Sequence, residues 1–98
     1  MAFVDEYDFD MLKNEAEKMV IHEIEAQFQK EPEDTCRCNE CVLDIAANSL
    51  NSVKPLYRFS LLGSLYAASA INEEDYANSI RDSVANAIKR VKSNPSHD

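Results

Sequence analysis

Three cysteines within six residues are the most chemically specific feature of this 98-residue chain. Cys36, Cys38 and Cys41 form the pattern C-x-C-x-x-C. Thiolates bind zinc well because sulfur is soft and Zn²⁺ is borderline-soft, and the two-residue spacer between Cys38 and Cys41 is usual in zinc knuckles. Cys41 is also expected in the first turn of a helix, where the helix dipole favours the thiolate. The sequence therefore predicts a zinc site formed by these three cysteines.

The fourth zinc ligand is left open by the sequence. Structural zinc is almost always four-coordinate, and the chain has no fourth cysteine. His22 falls in the middle of a predicted helix and His97 in a predicted tail, so an ordinary surface role is favoured for both. Asp34, Asp44, a water molecule or a group from a partner subunit are the other candidates.

Two other chemistries of the cysteine cluster are weighed against metal binding. In a redox switch, Cys38 and Cys41 would form a disulfide that Cys36 resolves. Cysteine pairs of this spacing in thioredoxin-like enzymes follow a strand, and no strand is predicted here. In nucleophilic catalysis a cysteine needs a histidine and an orienting partner, and only His22 and His97 are available. Nucleophilic catalysis by these cysteines is therefore disfavoured.

The composition indicates one mainly helical domain over residues 1–98, with 93–98 as a frayed tail. The chain is 45% apolar and 29% charged, and its single glycine argues against an all-β fold. A chain this short has a thin core and often relies on a metal, a disulfide or a partner subunit. The acidic N-terminus does not resemble a signal peptide, and no apolar run reaches the length of a membrane span. The expected location is the cytoplasm, where thiols stay reduced.

The charge is distributed unevenly along the chain. Residues 1–44 contain thirteen acidic and four basic residues, a net charge of −9, whereas residues 45–98 contain five acidic and six basic residues, a net charge of +1. The overall charge of −8 disfavours nucleic-acid binding, which depends on neutralising phosphates with Lys and Arg. An anionic ligand would prefer the second half of the chain.

Apolar periodicity predicts a small bundle of about four helices, with a cysteine-rich loop at 31–40 and an extended connector at 53–60. The first helix is predicted from about Asp10 to Lys30 and the second from Glu40 to about Ser52, with Asn39 as its N-cap. A weaker third helix follows Ser60, and the last opens at Asn72. The predicted buried residues are Phe9, Leu12, Ala16, Met19, Val20, Ile24 and Phe28 in the first helix, Leu43, Ala46, Ala47 and Leu50 in the second, and Tyr76, Ile80, Val84, Ala87, Ile88 and Val91 in the last.

The connector has the sequence VKPLYRFS, in which Pro55 favours an extended backbone at Lys54. Val53, Leu56 and Phe59 are predicted to anchor it to the core. The apolar segment that follows carries more apolar surface than one short helix can hide. A homodimer is therefore expected through Leu61, Leu62, Leu65, Tyr66, Ala67 and Ala68.

The segment CRCNECVLDIAANSLNSVKPLYRFS resembles the signature of the late competence development protein ComFB family. That signature combines the cysteine pattern with an Asp-hydrophobic pair, an A-x-x-L-N helix and a P-x-Y connector. The matching residues after the cysteines are Asp44, Ile45, Ala47, Leu50, Asn51, Pro55 and Tyr57. The flanking helices fit as well, so the resemblance spans nearly the whole chain.

The resemblance implies a small, non-enzymatic, dimeric helical domain of bacterial origin. Zinc binding through the cysteines, links to competence, motility and surface appendages, and cyclic di-GMP binding by some members are part of what it implies. A cyclic di-GMP receptor needs basic groups for two phosphates and a flat group for stacking on guanine. Lys54, Tyr57 and Arg58 lie together on the connector, and Arg81 can join them from the last helix.

Three functions remain in competition at this point. The first is a zinc-binding, dimeric regulatory domain that senses cyclic di-GMP. The second is a structural adaptor whose metal holds the loop while an exposed apolar face binds a partner protein. The third is a redox-switched thiol protein.

Overall fold

The computed structural model describes residues 2–59 and 73–95. Helices α1 (Ala16–Phe28), α2 (Asn39–Ser52) and α3 (Glu73–Ser93) form the described part of the fold, together with strands β1 (Lys13–Asn14) and β2 (Tyr57–Arg58). Two 3-10 turns, Phe3–Glu6 and Phe9–Met11, precede β1. The predicted mainly helical single domain is confirmed. The described residues hold three helices, because the predicted helix after Ser60 lies outside them.

Helix α3 carries the stripe that the other two helices share. Glu73, Glu74 and Asp75 in its first turn and Arg90 and Lys92 in its last turn complement the helix dipole. The stripe is buried as the periodicity predicts, and α3 packs against both α1 and α2. Its buried residues are Tyr76, Ile80, Val84, Ala87, Ile88 and Val91.

Helix α2 buries a different face from the one that its sequence predicts. The buried residues are Cys41, Ile45 and Ser49, whereas Leu43 is 59% exposed. Ser49 can be fully buried because its hydroxyl donates a hydrogen bond of 2.8 Å to the carbonyl of Ile45. The predicted face omits all three of these buried residues, including the apolar Ile45, which is only 1% exposed. Ala47 is exposed, while Ala46 and Leu50 are partly buried.

Helix α1 begins six residues later than predicted. Asn14 accounts for this start, because its Oδ1 accepts hydrogen bonds from the backbone N–H of Ala16 at 3.1 Å and of Leu56 at 2.8 Å. The side chain therefore opens the helix and also holds the connector. Phe9 and Leu12 precede this point and are exposed, contrary to the prediction. Met19, also predicted to be buried, is 40% exposed.

The connector is extended, as predicted, and β2 pairs with β1 in an antiparallel register of Lys13 with Arg58 and Asn14 with Tyr57. The N–H of Glu15 adds a hydrogen bond of 2.8 Å to the carbonyl of Leu56. Val53 is buried and Leu56 packs against the core, so both are anchors, but Phe59 is 70% exposed and is not one.

Among the described helices, none combines the length and apolar character needed to cross a bilayer. The segment from Ser60 to Asn72, including the residues on which the homodimer prediction depends, lies outside the described residues, as does His97.

Replacing Asn14 with alanine should destabilise the fold, because two partly buried N–H groups lose their shared acceptor. The expected loss is about 1–3 kcal/mol in the free energy of unfolding. Asn14→Asp, which keeps an acceptor oxygen, should retain most of the stability. Urea unfolding of both variants measures this. Equal losses in the two variants would show that the acceptor is not what matters at this position.

Candidate metal centre

The loop between α1 and α2 is held by the side chain of Arg37. Its Nη2 donates a hydrogen bond of 2.8 Å to the carbonyl of Phe28, at the end of α1. Its Nη1 lies 3.2–3.4 Å from the carbonyls of Pro32, Glu33 and Thr35. The guanidinium also stands 5.3 Å from the centre of the Phe28 ring, a cation–π distance. One side chain thus links the end of α1 to three backbone carbonyls of a loop without regular structure.

A second set of contacts fixes the middle of the loop. Thr35 is buried, its N–H donates to the carbonyl of Pro32 at 3.0 Å and its hydroxyl donates to Glu31 at 3.3 Å. Glu31 also forms a 3.0 Å ion pair with Lys92 of α3. The hydrogen bond from Lys92 holds the pKa of Glu31 below its usual value. The loop is therefore tied to the last turn of α3.

The three cysteine sulfurs lie within 4.8 Å of one another, so the structure brings the predicted ligands together. Cys36 and Cys38 are exposed, whereas Cys41 is 2% exposed. Cys38 is the N-cap of α2, because its sulfur accepts a 3.4 Å hydrogen bond from the N–H of Cys41. Asn39, the predicted N-cap, is instead the first helical residue.

The electrostatics of the cluster differ from the sequence-based expectation at Cys41. Burial raises the pKa of this thiol to about 12, with a further contribution from hydrogen bonding to Cys36. The position at the helix start does not offset this desolvation. At Cys36, hydrogen bonding from the backbone N–H of Cys38 lowers the thiol pKa. A bound cation would convert Cys41 from the protonated thiol to the thiolate, since a coordinating thiol is deprotonated.

The donor set suits a zinc ion. Sulfurs around tetrahedral zinc stand about 3.8 Å apart, because each Zn–S bond is about 2.3 Å long. The three sulfurs lie within 4.8 Å of one another, so at most about 1 Å of movement per pair separates them from that spacing. Among the described His, Cys, Asp and Glu residues, only the three cysteines form such a cluster.

The candidates for a fourth ligand separate in space. Asp34 lines a cavity of about 410 Å³ together with Cys36 and Cys41. His22 lies elsewhere, in a groove between α1 and α3. Asp44 lines neither cavity. Asp34 therefore lies on the cysteine side of the fold, but no described carboxylate or histidine joins the three sulfurs in one cluster, so the fourth ligand stays open.

The structure divides the four predicted ligand-binding residues between two places. Lys54, Tyr57 and Arg58 lie on the connector, where Tyr57 is 56% exposed and Arg58 forms a 2.9 Å ion pair with Glu15. The backbone carbonyl of Lys54 accepts a 2.6 Å hydrogen bond from the hydroxyl of Tyr76 on α3. Arg81 instead lines the groove between α1 and α3, which has no connector residue among its lining residues.

Two features of the site were missed by reasoning from the sequence. Arg37 was passed over although it stands between two predicted ligands, which was the available signal. Lys18 lines the groove between α1 and α3 with His22 and Arg81. The four-residue spacing of Lys18 and His22 indicates a shared helix face, but nothing local connects them with Arg81.

The fold and the thiol cluster define a small helical domain with a cysteine-rich loop at the N-terminus of its second helix. The sequence profile of the late competence development protein ComFB family matches residues 13–95, and the chain belongs to this family. The chain is also similar to a solved structure, described as a structural characterization of the late competence protein ComFB from Bacillus subtilis. The two share 25% sequence identity and a TM-score of 0.62, over 87% of this chain and 92% of the other. No curated protein matches the chain.

Alkylation of the metal-free, reduced protein should follow the burial of the thiols. Iodoacetamide is expected to modify Cys36 and Cys38 first, and Cys41 at least about tenfold more slowly, because Cys41 reacts only after local opening. Peptide mass spectrometry over a time course measures the three rates. In urea the rates should converge, which is the control. A native Cys41 that reacts as fast as Cys36 would contradict the buried placement.

Proposed function

We propose that this chain is a non-enzymatic bacterial regulatory domain that binds zinc, forms a homodimer and senses cyclic di-GMP in a competence- or motility-related pathway. The observation that carries the metal part is the convergence of Cys36, Cys38 and Cys41 within 4.8 Å. Clustered thiols of this kind suit a reduced compartment, so the proposal is for a cytoplasmic protein. Membership of the ComFB family supports the regulatory part.

Zinc has a structural role in this proposal. When bound, the ion supplies a fixed crosslink between the loop and the first turn of α2. Cys36 and Cys38 provide accessible thiols, while Cys41 provides a buried one. Arg37 orients the loop through its contacts with backbone carbonyls. The cysteine cluster is thereby similar to structural zinc sites, in which binding of the metal contributes to the free energy of folding.

The nucleotide part of the proposal depends on the connector. Lys54, Tyr57 and Arg58 are all exposed, on a segment held from below by Asn14 and Tyr76. The exposed ring of Tyr57 is suited to stacking on a guanine base, and the two basic side chains are suited to pairing with the phosphates of the nucleotide. Arg58 forms an ion pair with Glu15, so a phosphate that binds Arg58 must displace the Glu15 carboxylate. Surface pairs of this kind are weak, so the displacement costs little.

An adaptor function is the second candidate, and one observation favours it. Between α1 and α2 an open apolar groove has Ile21 and Leu43 in its lining, and both side chains are more than half exposed. An adaptor would use the metal to hold the loop and would bind a protein partner with no nucleotide. Calorimetric titration with cyclic di-GMP, on protein of known metal content, separates the two functions.

Protein purified without added metal should contain about one zinc per chain by elemental analysis. Removing the ion with a chelator should lower the melting temperature, by about 4–8 °C for each kcal/mol of binding energy lost from the fold. A Cys36→Ser/Cys38→Ser variant, altered at two exposed positions, should contain no zinc and should not respond to the chelator. Absence of zinc from the parent protein, with a Cys38–Cys41 disulfide in its place, would refute the metal site.

Arg58→Ala should weaken cyclic di-GMP binding by roughly ten- to a hundredfold, because a charge-assisted hydrogen bond contributes about 1.5–3 kcal/mol. Lys89→Ala removes an exposed base elsewhere and is the matched control. Arg81→Ala tests whether the groove between α1 and α3 participates. If Arg58→Ala is folded and binds like the parent, the connector is only a structural strap. If the parent shows no affinity at micromolar ligand, the adaptor function replaces the sensor.

A further inference from the structure

The groove between α1 and α2 is the feature that neither the metal nor the nucleotide uses. This open groove has a volume of about 780 Å³. Its apolar residues come from both helices and its polar rim from α1 and the cysteine-rich loop. The lining residues are Ile21, Ile24, Glu25, Phe28, Gln29, Glu31, Glu33, Arg37, Val42, Leu43 and Ala46.

Two aliphatic side chains are left exposed on facing walls of this groove. Ile21 of α1 is 58% exposed and Leu43 of α2 is 59% exposed. Each lies outside the buried stripe of its helix, which points toward α3. Singly exposed aliphatic residues need no explanation, but a contiguous apolar groove with a polar rim is typical of an interaction site.

The floor and one wall of the groove are preorganised. Ile24 at the floor is 4% exposed, and Phe28 packs against the core. The loop wall is held by Arg37, which contacts the carbonyl of Phe28 at the end of α1 and three carbonyls of the loop. A partner that enters this groove therefore does not have to order it first, which lowers the entropic cost of binding.

The rim of the groove is acidic. Glu25, Glu31 and Glu33 line it, and they belong to the half of the chain that has a net charge of −9. Arg37 is the basic residue of the lining, and its guanidinium is already engaged by the loop. Lys92 pairs with Glu31, which leaves Glu25 and Glu33 facing the groove. The charge complement of this rim is a cationic ligand.

We propose that this groove binds an amphipathic helix of a partner protein, whose apolar residues fill the floor and whose Lys or Arg side chains meet the acidic rim. Helices that dock in grooves do so through apolar anchors at positions i, i+3, i+4 and i+7. Ile21 and Leu43 contact those anchors, while Glu25 and Glu33 contact the flanking bases. The inference rests on the adaptor function and names the class of its partner.

A second copy of this chain fits the groove less well than such a helix. A two-fold contact between equal grooves would bring two acidic rims together. The described helices also bury their own apolar stripes in the core, and the basic residues at the end of α3 already contact this chain, Arg90 through Asn48 and Lys92 through Glu31.

Two synthetic helical peptides of about 18 residues test the proposal, each with leucines at the anchor spacing. One carries lysines at the remaining positions and the other carries glutamates. Binding is measured by fluorescence anisotropy at physiological salt, on the full chain with its natural metal content. The lysine peptide should bind the parent, and the glutamate peptide should bind at least about tenfold more weakly.

Matched variants locate the binding. The Ile21→Ser/Leu43→Ser variant should bind the lysine peptide at least about tenfold more weakly than the parent. The control variant Val4→Ser/Met11→Ser, altered at similarly exposed apolar positions, should bind it within about twofold of the parent affinity. Glu25→Gln/Glu33→Gln should weaken binding severalfold, and Glu73→Gln/Glu74→Gln should not. Thermal melting of each variant confirms that it is folded.

The proposal is overturned if the groove and control variants bind the peptide equally. It is also overturned if light scattering finds the parent as a dimer and Ile21→Ser/Leu43→Ser as a monomer near 11.1 kDa, since the groove then holds a second copy. Zinc content and the response to a chelator should be unchanged in the groove variants. A failure of the groove is thereby distinguishable from a failure of the metal site.

Discussion

The described fold depends on the apolar stripe of α3, against which both other helices pack. A chain of this length buries only about 60–65% of its unfolded surface, so little other packing is available to replace that stripe. Val84 and Ile88 are nearly inaccessible at its centre. The cysteine-rich loop joins α1 to α2, and its position is set by how these helices meet α3. The ion pair of Glu31 with Lys92 extends this dependence to the loop itself.

The loop shows how a short polar segment can be held in a fixed position. Residues 29–38 have no helix or strand to satisfy their carbonyls, and a protein interior tolerates few unpaired backbone groups. Arg37 reaches three of them, at Pro32, Glu33 and Thr35, and also the carbonyl of Phe28 at the end of α1. A lysine cannot fill this role because its donors do not form a rigid fork. Its neighbours Cys36 and Cys38 are consequently held near Cys41, with the three sulfurs within 4.8 Å of one another.

The sequence predicted those parts of the protein that local pattern controls. The prediction of the α3 stripe was right because its six apolar residues follow helical spacing without interruption. The clustering of the three thiols was predicted correctly because the cysteines are neighbours in the chain. The predicted α2 face was only partly right, because Ala46 and Leu50 pack against the core but the buried Ile45 and Ser49 were omitted. Ser49 can be buried because its hydroxyl bonds to its own helix. The start of α1 was wrong because Asn14 bonds to Leu56, 42 positions away. The groove could not be predicted, because Ile21 and Leu43 come from two different helices and no local sequence pattern indicates that they line the same groove.

One loop serves both the thiol cluster and the groove, and this sets a thermodynamic condition on how the two behave. Arg37 stands between two of the cysteines, and the same side chain lines the groove. If zinc shifts the backbone at Cys36 or Cys38, it shifts this wall of the groove as well. A helix that binds the metal-loaded form more tightly must then raise zinc affinity by the same factor, because coupling between binding sites is reciprocal. If the hydrogen bonds of Arg37 already hold the wall in its final position, the coupling is zero and the ion stabilises the fold alone.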